Sequence, residues 1–228
     1  YISKKNDIML KIVAAVKFYK GEINPFDASA LEWAVSEKGA QVIVISMSPA
    51  SVTPQAEYLT RLGAEVVLIS DAALAGSDTL VTAKVLSEAI KRLSPDLVYC
   101  GRQSVDGDTA QVPAEIAETL GYDFIPYAME KSGDRVVTRY GESKIKGKTV
   151  IAWEKTRSLR AASLRSVKKE VKIIGINELG LKAEETGFCG SPTKVVQTFE
   201  SERGRRTCRF IKKEELQKEI EIALRKET

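Results

Sequence analysis

Histidine is absent from this sequence of 228 residues, and only three cysteines are present. Without an imidazole side chain, neither Ser-His-Asp nor Cys-His catalysis is available, and histidine cannot hold zinc. The cysteines, Cys100, Cys189 and Cys208, are far apart and odd in number, so we expect reduced thiols rather than disulfides or a CxxC metal site. Any chemistry in which the chain takes part would therefore come from a bound cofactor.

Long hydrophobic runs are also missing. Apolar runs such as residues 42–45 and 66–69 fall far short of the roughly 20 apolar residues that cross a bilayer. Residues 1–8 lack the apolar core of a secretory signal, so we treat them as an N-terminal extension ahead of Met9 and expect a cytoplasmic protein. The net charge is +4 and its signs are interleaved, which does not indicate a nucleic-acid partner.

The first half of the chain alternates short β-branched runs with amphipathic stretches, a pattern typical of βαβ units around a parallel sheet. The inner strands are apolar on both faces, which predicts helices on both sides. The fold class is therefore α/β, with a doubly wound, mostly parallel, Rossmann-like sheet. The predicted strands cover residues 11–16, 41–46, 65–70 and 96–100. The first predicted helix begins near Asp27, which can cap its free amides, and ends before Gly39. The second lies between Pro54 and Gly63, the third covers residues 78–93 and the fourth covers residues 111–120. Helical spacing predicts an apolar stripe in the first helix, of Ala30, Leu31, Ala34 and Val35, and one in the third, of Leu80, Ala83, Leu86, Ala89, Ile90 and Leu93.

The second half is less regular. Residues 124–128, 135–140 and 149–153 are predicted strands joined by turns, and we expect them to be antiparallel additions at the sheet edge. Beyond Trp153 the chain is rich in Arg, Lys and Ser and ends in a helical pattern over residues 212–226. Such a segment either wraps a partner or forms a flexible surface tail. We therefore expect an α/β domain over residues 9–185 and a C-terminal arm over residues 186–228.

The segment after the fourth predicted strand has the composition of a phosphate cradle. It runs from Gly101 to Gln111 and places two glycines, Ser104 and Thr109 in front of a helix, where amides and hydroxyls can converge on an anion. Two carboxylates in it, Asp106 and Asp108, are suited to holding the loop, and an Asx-turn with a helix cap is the structural alternative. The segment matches neither a Walker P-loop nor a GxGxxG fingerprint. In a doubly wound sheet it would face the loop after the first strand, where the strand order reverses.

The loop from Gly101 to Gln111, Gly-Arg-Gln-Ser-Val-Asp-Gly-Asp-Thr-Ala-Gln, resembles the signature of the electron transfer flavoprotein β subunit. Further segments resemble the family in the same order along the chain. They are Ala15-Val16-Lys17, Asn24-Pro25-Phe26-Asp27, Ser46-Met47-Ser48-Pro49, residues 62–71, residues 75–79 and residues 190–196.

The resemblance implies a subunit that pairs with a larger α subunit carrying a redox-active FAD, and a heterodimer that moves electrons between flavin dehydrogenases, such as acyl-CoA dehydrogenase, and an acceptor. Its own pocket would hold AMP or a second FAD. The form of residues 107–111 is similar to the electron-bifurcating branch, which favours FAD. The implied lining is Ala15, Asn24, Pro25, Phe26, Asp27, Met47, Gly101, Arg102, Gln103, Ser104, Val105, Asp106, Gly107, Asp108, Thr109, Ala110, Gln111 and Val112.

Three segments depart from the family pattern. The loop between Lys17 and Asn24 is short, Pro113 stands alone where the family has Gly-Pro, and the segment before the dehydrogenase-docking leucine is altered. Leu164 is the nearest counterpart of that leucine, and burial against the chain itself is an alternative interpretation. Arg102 would stabilise a reduced, anionic flavin or else pair with Asp106 or Asp108, or point to solvent.

A second class of function stays open, that of a standalone adenine-nucleotide-binding sensor with the tail as a dimer arm. A hydrolase or ligase on the same scaffold is disfavoured, because the sequence has neither a Gly-rich ATP-pyrophosphatase motif nor a histidine.

Overall fold

The structure is a computed structural model and describes residues 9–194 together with residues 212, 216, 217 and 220. The N-terminal extension, Cys208 and most of the predicted helix over residues 212–226 lie outside the described residues. The chain divides into two units, and the first ends at Lys194. The sheet, its helices and the candidate site all belong to that first unit.

Within the described part of the chain, the main sheet has nine strands. Their order across the sheet is β11-β5-β4-β1-β6-β10-β7-β8-β9. The strands are β1 (Lys11–Ala15), β4 (Gln41–Met47), β5 (Glu65–Ile69), β6 (Leu97–Gly101), β7 (Asp123–Ser132), β8 (Arg135–Thr138), β9 (Gly141–Lys144), β10 (Thr149–Trp153) and β11 (Lys172–Ile174). A separate two-stranded hairpin is formed by β2 (Phe18–Tyr19) and β3 (Glu22–Ile23). The first four predicted strands are confirmed to within one residue at each end.

Helices cover both faces of the sheet. They are α1 (Pro25–Ser36), α2 (Thr53–Thr60), α3 (Thr79–Leu93), α4 (Val112–Leu120) and the short α5 (Gly187–Gly190). In β1, Ile12 and Ala14 pack with α1 and α2, whereas Val13 and Ala15 pack with α3 and α4. Successive strand residues point to opposite faces, so each helical layer receives one apolar side of the sheet. The doubly wound α/β fold is thereby confirmed.

The helices confirm the predicted apolar stripes with two corrections. In α3, Asp78 caps the first turn by accepting a hydrogen bond from the Val81 amide at 3.0 Å, and Ala83, Leu86 and Ile90 are buried. Leu80, predicted in the same stripe, is instead exposed. In α1, Asn24 rather than Asp27 occupies the N-cap position.

The prediction of antiparallel additions is wrong for β10. This strand lies between β6 and β7 and is parallel to both, and all five of its residues are buried. Its unbroken apolar sequence suits a strand covered on both faces, but the neighbouring turns suggested a hairpin. Antiparallel pairing is limited to β7 with β8 and β8 with β9, at one edge of this sheet.

The chain after Trp153 is anchored on its own domain as far as Lys194. Residues 154–170 form no helix or strand and cross the outer side of α1 and α2. The unpredicted strand β11 then pairs with β5 at the other edge of the sheet. The arm expected from residue 186 begins inside the first unit, since Thr186 and Ser191 are buried and the Phe188 amide donates to the Ala75 carbonyl at 2.9 Å.

No helix among the described residues is long and apolar enough to span a membrane.

Candidate functional site

The strand order reverses between β1 and β6. These strands are parallel neighbours, with Ala15 opposite Cys100 at their carboxyl ends. The loops after them therefore start side by side at one edge of the sheet, as predicted. In open α/β sheets this crevice is the usual ligand position.

The start of α1 lies directly against the end of β6. A Cβ atom at Gly101 would come within 2.6 Å of the Asp27 amide nitrogen and closer still to Asp27 Oδ1. Real Cβ atoms do not approach backbone so closely, so only glycine lets the helix and strand meet here. Gly101 is thus required by packing as well as by the loop that it opens.

Asp27 joins the ends of the two strands. Its Oδ2 accepts a hydrogen bond from the Lys17 amide at 2.8 Å and its Oδ1 accepts one from the Gly101 amide at 2.9 Å. The residue is only 7% exposed. Burial raises the pKa of its carboxyl to about 7, against the opposing effect of hydrogen bonds from Lys17, Asn24 and Gly101. The carboxyl group of Asp27, a residue predicted to line the pocket, holds the loops after β1 and β6 together.

Asn24 links the same helix to the loop after β6. Its Nδ2 donates to the Gln103 carbonyl at 2.8 Å, while its Oδ1 is buried and accepts no hydrogen bond from the described residues. Buried amide oxygens nearly always have a partner, so this acceptor marks a place where a ligand or water donor fits. Pro25 and Phe26 form the first turn of α1 beside it.

The loop from Gly101 to Gln111 is held by an ion pair across the crevice. Lys17 Nζ lies 2.7 Å from Asp106 Oδ2. Partial burial acts against ionisation, but Lys17 and Ser104 lower the pKa of Asp106 to about 2. Asp108 and Ala110 adopt positive φ angles of 50° and 56°, and residues 105–109 are exposed. Val112 then begins α4.

Arg102 is held by partners other than those expected. Its Nε lies 3.1 Å from Glu154 Oε1, in an ion pair that is not aligned as a hydrogen bond. Its guanidinium carbon lies 5.1 Å from the centre of the Phe26 ring and 5.7 Å from that of Tyr127. The alternative of pairing with Asp106 or Asp108 is therefore wrong, and Arg102 packs between two aromatic rings.

The remaining implied residues are distributed around this edge. Ala15 and Met47 end or nearly end their strands and pack with the α3 and α4 side of the core. Leu164 lies apart from the crevice, on residues 154–170, and is 99% exposed. The alternative that Leu164 is a buried-face leucine is wrong.

Two residues that contribute to the site were absent from the predicted lining. Lys17 supplies the ion pair with Asp106, and Glu154 supplies the carboxylate beside Arg102. Lys17 directly follows the first predicted strand, so its position was a usable signal. Glu154 follows β10, whose predicted edge position concealed its proximity to Arg102.

The cysteine at the end of β6, Cys100, is not activated as a nucleophile. Burial, with a smaller contribution from nearby Asp27, raises the pKa of the Cys100 thiol well above its usual range, so it is protonated at neutral pH. The two carboxylates nearest the strand ends are engaged, Asp27 by amides and Asp106 by Lys17. Neither of these two carboxylates is therefore left free to repel an anion at this edge of the sheet.

Comparisons with known proteins point to one family. The family model described as the electron transfer flavoprotein domain matches residues 13–156. The electron transfer flavoprotein subunit beta of Thermoanaerobacterium thermosaccharolyticum is 39% identical over 194 residues, covering 77% of this chain and 75% of that protein. The protein of the same name from Clostridium acetobutylicum is 37% identical over 197 residues, covering 79% and 76%.

A relative from a reductase complex is also similar. The caffeyl-CoA reductase-Etf complex subunit CarD of Acetobacterium woodii is 33% identical over 199 residues, covering 78% of this chain and 75% of that protein. The family match covers more than half of the chain and includes both pocket loops. The chain belongs to the electron transfer flavoprotein family.

Proposed function

We propose that this chain is the β subunit of an electron transfer flavoprotein and holds FAD or AMP between the loops after β1 and β6. The proposal rests mainly on one observation. The two loops meet where the strand order reverses, and Asp27 joins them by accepting hydrogen bonds from the Lys17 and Gly101 amides. Family membership makes electron transfer the role that the site serves. When FAD is bound, it supplies the electron-carrying chemistry.

Two parts of the crevice, the loop before α4 and Asn24, suit different groups of a nucleotide. The amides of residues 109–111 and the start of α4 suit the phosphates, because the positive end of a helix attracts anions. The Gly107 and Asp108 amides instead hold the loop, since they donate to the Asp106 carboxylate and the Ser104 carbonyl. Oδ1 of Asn24, which accepts no hydrogen bond from the described residues, suits a hydroxyl or amino donor of the ligand. We favour FAD over AMP, since residues 107–111 resemble the bifurcating branch and a relative is a named subunit of a caffeyl-CoA reductase-Etf complex.

Arg102 is the residue that we assign to charge stabilisation. It is the first side chain after the β6 glycine, and its guanidinium lies against the Phe26 ring at the mouth of the crevice. A cation at this place favours the anionic form of a reduced flavin. Glu154 partly neutralises Arg102 and fixes its position.

The partners follow from the same family. We propose a heterodimer with an electron transfer flavoprotein α subunit, with the C-terminal arm, residues 186–228, contributing to that contact. Leu164 would dock a flavin dehydrogenase of the acyl-CoA dehydrogenase type, and its full exposure supports this role.

Co-expression with an α subunit separates this proposal from a standalone nucleotide sensor. A yellow complex with one copy of each subunit supports the electron-transfer subunit. A colourless homodimer that ignores the α subunit, yet retains an adenine nucleotide, contradicts it and favours the sensor.

A further inference from the structure

The segment over residues 154–170, here called the strap, is fixed to the domain at its start. Ser29 Oγ donates to the Glu154 carbonyl at 2.9 Å and accepts from the Arg157 amide at 3.1 Å. Glu32 then accepts from the Arg160 amide and from its guanidinium, at 3.0 Å and 2.6 Å. Since Ser29 and Glu32 lie on one helix, α1 positions the first part of the strap.

A second set of contacts brackets Leu164. The Ala162 amide donates to the Tyr58 hydroxyl at 3.1 Å. Arg61 donates from Nη2 to the Ser163 carbonyl at 3.0 Å and from Nε to the Ser166 carbonyl at 3.3 Å. Tyr58 belongs to α2 and Arg61 follows its last residue. These two side chains therefore fix the backbone on both sides of Leu164.

The bracketed residues project into solvent. Leu164 is 99% exposed and Val167 is 77% exposed, although the backbone beside them is hydrogen-bonded. Arg165 and Lys169 lie beside them and are also exposed, whereas the nearby Lys168 forms an ion pair with Glu57 at 3.2 Å. An ordered backbone that presents apolar side chains among cations is the arrangement of a preformed contact surface.

We propose that Tyr58 and Arg61 are positioning residues that hold Leu164 outward for a flavin dehydrogenase whose apolar socket is rimmed by carboxylates. The inference rests on the proposed function and adds the residues that act behind the docking leucine. Charge complementarity identifies the rim, because the strap carries lysine and arginine around Leu164. Tyr58 and Arg61 act through the strap backbone and touch neither cofactor nor substrate.

The physical effect of the clamp formed by Tyr58 and Arg61 is preorganisation. A loop that is already ordered loses less conformational entropy when its side chain is captured. Without the clamp, the strap would sample many conformations, few of which present Leu164. The consequence is weaker association with the dehydrogenase and an unchanged rate of electron transfer once the complex has formed.

The test uses the heterodimer with its α subunit and the acyl-CoA dehydrogenase of the same organism. The variants are Tyr58→Phe, which removes only the phenolic oxygen, and Arg61→Gln, with Lys84→Gln as a control that loses one positive charge from an exposed ion pair on α3. We expect KM for the heterodimer to rise roughly fivefold to twentyfold in Arg61→Gln, and less in Tyr58→Phe, with kcat unchanged. Lys84→Gln should behave as wild type.

Two further measurements separate a positioning role from a general loss of structure. Amide hydrogen exchange at residues 162–166 should accelerate in both clamp variants, while exchange in β1 and β6 and the nucleotide content stay as in wild type. In a Leu164→Ala background, Arg61→Gln should raise KM no further, because the side chain that it positions is gone.

The proposal is overturned if Arg61→Gln accelerates exchange at residues 162–166 and leaves KM unchanged, or if exchange there is unchanged. An additive rise of KM in the double variant also contradicts it. If Leu164→Ala has a wild-type KM, both the docking role of Leu164 and the positioning role of Tyr58 and Arg61 are refuted. A different result refutes the proposed function itself, namely that the chain forms no flavin-containing complex with the α subunit.

Discussion

Replacing Asp27 by Asn is expected to remove a pH dependence of stability from this fold. The carboxyl of Asp27 is buried between the Lys17 and Gly101 amides, and its pKa is raised from 3.8 to about 7. In the unfolded chain the group loses its proton near its ordinary value, whereas the folded chain keeps it to a higher pH. Between these limits the folded state binds more protons, so its stability falls as the pH rises.

The raised pKa sets the size of the effect. The rise in pKa corresponds to about 4 kcal/mol in the free energy of unfolding at 25 °C. This contribution of Asp27 is present at pH 4 and lost by pH 8. Asn does not titrate, so the free energy of unfolding of wild type minus that of Asp27→Asn isolates this group. In Asp27→Asn, the side-chain amide also has a single oxygen for the two N–H donors of Lys17 and Gly101. This lowers the free energy of unfolding of the variant by roughly 1–3 kcal/mol at every pH.

Urea unfolding between pH 4 and pH 8 measures this difference. We expect the advantage of wild type over Asp27→Asn to shrink steadily across the range. Asp123→Asn, which removes an exposed carboxyl at the start of β7, serves as the control for the loss of a carboxyl outside the crevice. A difference between wild type and Asp27→Asn that is constant, or that grows with pH, would refute the burial argument for Asp27.

Three further changes test the crevice. Gly101→Ala should destabilise the fold by roughly 1–3 kcal/mol, because the new methyl group overlaps the start of α1; an unchanged urea midpoint would contradict the close packing. In a complex with flavin in the crevice, Arg102→Ala should lower the flavin midpoint potential by roughly tens of millivolts, because a cation near the anionic reduced form is lost. An unchanged potential would rule out charge stabilisation of the reduced flavin by Arg102. Lys17→Gln should alter the free energy of unfolding by less than about 1 kcal/mol, because the ion pair of Lys17 with Asp106 is half exposed. The variant should nevertheless accelerate amide exchange in residues 103–110. Equal exchange in both proteins would show that the ion pair does not hold the loop.

The strands that position the site were predictable from sequence because their signal is local. Each of β1, β4, β5 and β6 is a short apolar run next to a helical pattern, and each was located to within one residue. The position of the crevice follows from that alternation, since parallel strands carry their loops at the same edge. Gly101 could likewise be marked as special from its place after a buried strand.

The features that escaped prediction depend on contacts between distant segments. Asp27 looks like a helix cap in the sequence, yet its partner Gly101 is 74 residues away. Glu154 meets Arg102 only because β10 inserts beside β6. The polar composition of residues 154–170 suggested a tail, whereas their order comes from side chains of α1 and α2.

The nucleotide content of the purified heterodimer is the most direct test of the central claim that the crevice between β1 and β6 holds a nucleotide for electron transfer. Denaturing the complex and quantifying the released nucleotides against protein gives the number bound. We expect two FAD per heterodimer, one of them held by this chain. One FAD with one AMP would keep the site and replace its ligand. A complex that releases a single FAD and no second nucleotide would contradict the claim.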